Sequence, residues 1–316
     1  MTSRPPVGID LGGTSTRAAV ALAPGRLGTT ARCPTPVGAG ADAVLDACAA
    51  CATEACEGAW PEAVAIGVPG PLDPSTGVVY DAPNLPGFAG LAVGELLSRR
   101  LGGCPVTVEN DAKLAAFAEY TVGAGAGSDP FLFVTVSTGI GGGLVLGGEL
   151  FHGLAGTAGE VGHSPTSIDG PSCSAGHVGC LEGVASGTGI GRRARHAVAG
   201  GEPSTLSALA MDAIDAVAVE RAALAGDALA QRLFADAGRA LGRELGGLVN
   251  LLSPEVVVIG GGLINAGELL FEPLRNALSE IAFRVPLGRT RIVPAALGTD
   301  AGLIGATAWA LRRLAS

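Results

Sequence analysis

The chain has 316 residues, 48% of them apolar and 16% charged, so it can bury a substantial core and fill two domains of ordinary size. Its net charge of −9 argues against a nucleic-acid surface, which needs clustered Lys and Arg, but leaves room for a small anion held by backbone N–H groups. No charged segment leads into an apolar stretch at the N-terminus and no long apolar run occurs, so neither a signal peptide nor a membrane span is expected. The seven cysteines are an odd number spread over a long chain, which makes a disulfide framework unexpected and a cytoplasmic location the default.

Val7–Leu11 and Arg17–Leu22 read as strands joined by a Gly-Gly-Thr-Ser turn, with a third strand around Thr29–Cys33. Ala41–Glu57 reads as a helix whose Cys48, Cys51 and Cys56 are small packing residues, and Ala63–Val68 as a buried strand stopped by Pro69-Gly70-Pro71. A short strand at Gly77–Tyr80, a helix at Leu91–Leu101, a strand at Val106–Glu109 and a helix from Asp111 to Tyr120 follow. The Gly/Ala-rich passage Gly123–Gly127 is the best compositional boundary between domains.

Beyond it, Phe131–Ser137 and Gly143–Leu146 flank a glycine turn, and Gly147–Leu150 leads into a long irregular region to Cys180, of the kind that is usually functional or metal-tied. The last third reads as mostly helical: Ala228–Leu252, a β-branched strand Glu255–Ile259 ending in three glycines, a helix Ala266–Ile281, a short strand Arg291–Pro294 and a closing helix Ala301–Leu314. Alternating strands and helices with some hairpins make a mixed α/β protein, and the strand-to-glycine-turn design at Asp10, Ser137 and Gly260 hints at two related halves.

Four segments carry chemistry. In Gly8–Arg17 a carboxylate, Asp10, ends a buried strand and is followed by Gly12, Gly13 and Thr14. Such a turn presents N–H groups and a hydroxyl to phosphate oxygens, and the carboxylate suits hydrated Mg²⁺; an ordinary hairpin with Asp10 as a structural cap is the other reading. Val136–Gly143 repeats the design with Thr138, Gly139 and Gly141, and because its glycines lead into a strand it is not a dinucleotide fingerprint. In Val108–Ala112, Asn110 and Asp111 sit where a strand meets a helix. A carboxylate there can accept a sugar hydroxyl's proton during phosphoryl transfer, yet either residue is equally a good helix N-cap. In Ala158–Glu182, the residues Glu160, His163 and Glu182 suit adjacent sugar hydroxyls, while His163, Cys173 and Cys180 suit zinc, with His177 the local candidate for a fourth ligand.

These segments, together with GVPGPLD at Gly67–Asp73, APNLPG at Ala82–Gly87, GCLEGVASG at Gly179–Gly187 and VIGGG at Val258–Gly262, resemble the repressor–open-reading-frame–kinase (ROK) sugar kinases, glucokinase-like, from Gly8 to about Gly305. The resemblance implies an actin-like (ribonuclease H-like) two-domain ATPase fold with an inter-domain cleft. It divides the chain into residues 1–122 plus 300–316, with the Asp10 hairpin and Asp111, and residues 123–299, with the second hairpin and the sugar and zinc loop. It implies Asp111 as general base and Gly70, Asn84, Asn110, Glu160, His163 and Glu182 as sugar ligands. It sets Asp10–Thr14 and Thr138–Gly141 on the nucleotide phosphates and Gly261 and Gly262 near adenosine. ATP and Mg²⁺ are the implied cofactors, and a homodimer or higher homo-oligomer the implied assembly. One departure stands out: the family's zinc loop reads C-x-C-G-x-x-G-C, and here its middle cysteine is Ala175.

The expected reaction is phosphorylation of a free hexose at its 6-hydroxyl, with glucose as the default substrate. Amino and N-acetyl hexoses (kanosamine, N-acetylmannosamine, N-acetylglucosamine) are the alternatives, and polyphosphate an alternative donor. A sugar-sensing repressor would carry a helix-turn-helix before the first strand, where only six residues precede Val7. A non-catalytic sugar-binding regulator is disfavoured by the presence of both Asn110 and Asp111.

Overall fold

The computed structural model describes residues 4–315. The chain forms two compact units, one made of the residues up to Phe131 with Gly143–Gly159 and the residues from Ala295 on, the other of Leu132–Gly142 with Glu160–Pro294.

The first unit opens with β1 (Val7–Leu11), β2 (Ser15–Ala23), β3 (Arg26–Pro34), α1 (Ala41–Ala55) and β4 (Val64–Val68). A small hairpin of β5 (Leu72–Asp73) and β6 (Val78–Val79) follows, then α2 (Val93–Arg100), β7 (Val106–Asn110) and α3 (Asp111–Thr121). The five-stranded sheet has the order β3-β2-β1-β4-β7, antiparallel through its first three strands and parallel from β1 to β7. Every residue of β4 is buried, which is why the strand reads as an unbroken apolar run instead of alternating. Register pairs Asp10 with Gly67 and Val68 with Asn110, so β1, β4 and β7 end at one edge of the sheet. Leu45, Cys48 and Cys51 of α1 pack in the same core as Ile9 and Ile66, as small packing residues should. Burial drives the Cys48 and Cys51 thiols up to about 12, far from a reactive thiolate.

The chain continues with β8 (Phe131–Val136), β9 (Ile140–Leu146) and β10 (Glu149–Leu150), crosses a long irregular stretch, and enters α4 (Leu181–Ala185), α5 (Gly187–Ala199), α6 (Ala216–Leu224) and α7 (Ala228–Leu252). It ends with β11 (Val256–Gly260), α8 (Glu268–Ile281), α9 (Arg284–Leu287), β12 (Arg291–Pro294) and α10 (Ala301–Ala315). The second five-stranded sheet has the order β10-β9-β8-β11-β12. In α7, Leu229, Leu233, Ala237, Leu241, Leu245 and Val249 recur at helical spacing and form its buried stripe. Among the described residues no helix is long and apolar enough to cross a membrane.

The closing helix α10 belongs to the first unit and lies against α3 and β1. A Cβ at Gly8 would strike the backbone of Thr307, and one at Gly305 the carbonyl of Leu114, so glycine permits this close approach. Near the end of α3, the fully buried Glu119 accepts N–H bonds from Ala124 (2.8 Å), Ala296 (3.2 Å) and Leu297 (2.8 Å). One carboxylate thus fastens the stretch leaving α3 to the stretch entering α10.

One expectation is corrected. Gly141 and Gly142, expected in the turn, lie inside β9, which begins at Ile140; at Gly143, expected in the strand, a Cβ would come within 2.5 Å of the Ala116 Cβ. Here glycine serves close packing on α3 and not a turn. Helices α5 and α6 were not anticipated. Ser186 caps α5 through the Gly189 N–H, and Gly187, Gly189 and Gly191 are all buried.

Candidate active site

The first unit gathers one group of candidate residues at the carboxyl ends of its parallel strands, the edge where open α/β sheets bind ligands. Gly12 N–H bonds to the Ser15 carbonyl (3.1 Å) to close the first glycine turn, while Gly13 and Thr14 stay exposed. Thr35, just past β3, braces that turn: its N–H bonds to Thr14 O (3.1 Å), and its hydroxyl reaches Gly12 O (2.7 Å) and the Thr16 hydroxyl (2.9 Å). Asn84 is exposed beside this turn, its carbonyl at ordinary contact distance from where a Gly13 Cβ would lie.

Asp10 is not left to solvent. Arg17, across the turn on β2, donates to its Oδ2 through Nε (3.1 Å) and Nη2 (2.7 Å), and also reaches Asp300 Oδ1 (2.7 Å) and Thr299 O (2.5 Å). Burial works against the guanidinium charge, but the two carboxylates outweigh it and move Arg17 above its ordinary range.

Asn110 ends β7 in an extended conformation and caps α3: its Oδ1 accepts the Lys113 N–H (3.1 Å), and its Nδ2 donates to Gly70 O (3.1 Å). Asp111 is therefore the first helical residue, partly exposed, with Oδ1 on its neighbour's Ala112 N–H (2.8 Å). The amino end of a helix is where a carboxylate is electrostatically at home. Two flanking residues tether the segment after β10. Buried Glu109 meets His152 Nε2 at 2.6 Å, and the Lys113 ammonium donates to Gly156 O.

The second unit gathers the other group. Ser137 N–H bonds to Gly139 O (2.9 Å) to close the second glycine turn, and the start of α5 holds it from below, Gly187 N–H on Ser137 O (2.7 Å) and Thr188 N–H on Thr138 O (3.1 Å). Gly261, at φ +90°, packs where any Cβ would strike the Val136 carbonyl, so the glycine turn after β11 abuts the end of β8. Glu160 precedes a single 3₁₀ turn that ends in His163, with His163 N–H on Glu160 O (3.0 Å).

Cys173, Ser174, Ala175, Gly176 and His177 form a tight turn, closed by Cys173 N–H on His177 O (2.9 Å), that folds His177 back beside Cys173. The candidate ligand atoms of His163, Cys173, His177 and Cys180 all lie within 4.8 Å of one another. His163 Nδ1 is buried and has no hydrogen-bond partner, an arrangement that costs free energy unless something else binds the nitrogen. Two imidazoles and two thiols are a familiar zinc set, so these residues fit that ion.

Glu182 is almost fully buried and accepts from Ser174 N–H (2.9 Å), Ser174 Oγ (2.5 Å) and Ile140 N–H (3.2 Å). Burial favours its neutral form, but these bonds, with His163 nearby, prevail and hold it below its ordinary range. Arg17, Thr35 and Ser174 were absent from the sequence expectations. Their types are common on surfaces, and only tertiary contact links them to the glycine turns.

The ROK family model matches residues 6–313. The chain belongs to the ROK family. A glucokinase of Thermotoga maritima is 35% identical over 302 residues, 95% of each chain. An N-acetylmannosamine kinase of Escherichia coli is 33% identical over 299 residues, 94% of this chain and 95% of that one. The crystal structure of a ROK glucokinase from Streptomyces griseus, in complex with glucose and AMPPNP, is similar with a TM-score of 0.82 at 35% identity, covering 98% of this chain and 99% of the other. Likeness to kinases over its whole length makes this ROK protein an enzyme of that class, and its two mixed α/β sheets are of the kind the actin-like, ribonuclease H-like ROK fold contains.

Proposed function

We propose that this ROK kinase transfers the γ-phosphoryl group of Mg·ATP to the 6-hydroxyl of a free hexose, glucose first, with Asp111 as general base. The observation that carries the reading is the division of labour at the end of β7: Asn110 performs the capping, so the neighbouring carboxylate is not needed as the helix cap. Phosphoryl transfer asks for positioning and charge neutralisation more than covalent chemistry. Asp111 would take the hydroxyl proton as its oxygen attacks. Gly70, Asn84, Asn110, Glu160, His163 and Glu182 would hold the sugar. Gly12, Gly13, Thr14, Thr138, Gly139 and Gly141 would hold the phosphates through N–H groups and hydroxyls, and Gly261 and Gly262 would flank the adenosine.

Mg²⁺, a hard cation that favours oxygen donors, would neutralise phosphate charge near Asp10, where Arg17 already engages Oδ2. His163, Cys173, His177 and Cys180 would hold a structural zinc that stiffens the loop bearing His163 and Glu182, with His177 in place of the ligand lost at Ala175. The functional division would be residues 1–122 plus 300–316 against 123–299, in a cytoplasmic homodimer or higher homo-oligomer.

Likeness to an N-acetylmannosamine kinase favours a second reading, a 6-kinase of amino or N-acetyl hexoses. An assay of ADP release over glucose, mannose, N-acetylmannosamine, N-acetylglucosamine and kanosamine decides between them, with polyphosphate as a separate donor arm read by the sugar phosphate formed. Turnover fastest on glucose is expected. Turnover confined to N-acetyl or amino sugars would select the second reading, and no phosphoryl transfer to any of them would overturn both.

A further inference from the structure

Glu182 stands between two loops that the proposed reaction treats separately. One of its oxygens is held by the amide and hydroxyl of Ser174, inside the turn from Cys173 to His177. The other accepts the Ile140 N–H, at the exit of the second glycine turn. A Cβ at Gly139 would lie only 2.8 Å from that same oxygen, so the carboxylate and the turn are packed together as well as hydrogen-bonded. The contact is not an isolated one. A Cβ at Gly162 would run into the Ile140 carbonyl, so the 3₁₀ turn bearing His163 also rests on this residue.

We infer that Ser174 is a positioning residue that couples the metal loop to the second phosphate turn through Glu182. The physical reason is the shortness of the chain of contacts. A carboxylate with both oxygens engaged and little solvent around it cannot swing without breaking bonds at one end or the other. Whatever fixes Ser174 therefore fixes Glu182, and whatever fixes Glu182 fixes the Ile140 amide. The metal loop would then set the geometry of the nucleotide's phosphates as well as that of the sugar. The inference rests on the proposed assignment of the Ser137–Gly139 turn and the start of β9 to the nucleotide, while the coupling itself does not.

The test uses the full chain with Ser174→Ala and Ser174→Thr, zinc content being measured for each. Amide hydrogen exchange of the peptide spanning residues 137–142 is followed without ligand, and ADP affinity by calorimetry without sugar. Ser174→Ala is expected to speed exchange in that peptide and to weaken ADP about tenfold, the loss expected for one charge-assisted bond, at unchanged zinc content. Ser174→Thr, which keeps the hydroxyl, is expected to restore both. Exchange in Ser174→Ala equal to that of the unaltered protein overturns the coupling. Faster exchange with unaltered ADP affinity leaves the coupling standing and overturns the assignment of this turn to the nucleotide.

Discussion

Asn110 and Asp111 share the end of β7 unequally: the Asn110 side chain spans from the Lys113 amide to the Gly70 carbonyl, while Asp111 begins helix α3 with its carboxylate partly exposed. Replacing each should therefore give different phenotypes. Asp111→Ala is expected to lower turnover about a thousandfold with fold and sugar affinity kept, the range typical of general-base loss. Asn110→Ala is expected to lower stability by about 1 kcal/mol as the cap is lost, visible as a reduced Tm. Turnover of Asp111→Ala equal to that of the unaltered enzyme would remove it as the base.

Zinc content tests the loop. His177→Ala is expected to lose the metal, and Ala175→Cys in the same background to regain it by restoring the family's ligand position. Mass spectrometry of the purified proteins gives the stoichiometry, expected at about one ion per chain in the unaltered protein. Full zinc occupancy in His177→Ala would show that the other residues suffice.

Removing the Glu119 carboxylate leaves three backbone N–H groups without their acceptor. Glu119→Ala is expected to cost about 3 kcal/mol or more in urea unfolding, and Glu119→Gln nearly as much, since its amide N–H₂ would confront donors. A Glu119→Gln midpoint equal to the original would argue that the site does not need a charge.

Asp227 caps α7 and accepts from Ala230, Thr205 and Ser204; burial pushes its carboxyl up, but these bonds prevail and bring it down to about 2. A folded value below the unfolded one, ordinarily near 3.9, means a contribution present above pH 4 and lost as pH falls toward 2. Asp227→Asn is expected to be less stable than the original by about 2 kcal/mol at pH 6, with the gap closing between pH 4 and pH 2. A pH-independent gap would assign the loss to packing alone.

Much of this was legible in the residues. The buried strands β4 and β11 announce themselves as unbroken apolar runs, and the long stripe of α7 as helical spacing. Glycine was the chief obstacle, because the same residue marks a turn at Gly12 and close packing inside β9 and α5. Spacing singled out His163, Cys173 and Cys180, and named His177 as a candidate, but only the turn closed by the Cys173 N–H shows how it is brought round. Which of Asn110 and Asp111 capped the helix was likewise a question of backbone geometry, and adjacent residues of similar capping power cannot settle it by type.

The packing of α10 on β1 and α3 has a consequence for how the protein is made. Strand β1 meets its covering helix only after everything between Leu11 and Ala301 has been translated. Until then the surface that Leu303, Ala306, Ala308 and Trp309 will shield stays open. The first unit is thus an early-started, late-sealed product, exposed to association for the length of synthesis. A premature stop anywhere upstream of Ala301 would damage the Asp10 and Asp111 end of the molecule, far back in the message, and not merely shorten its tail.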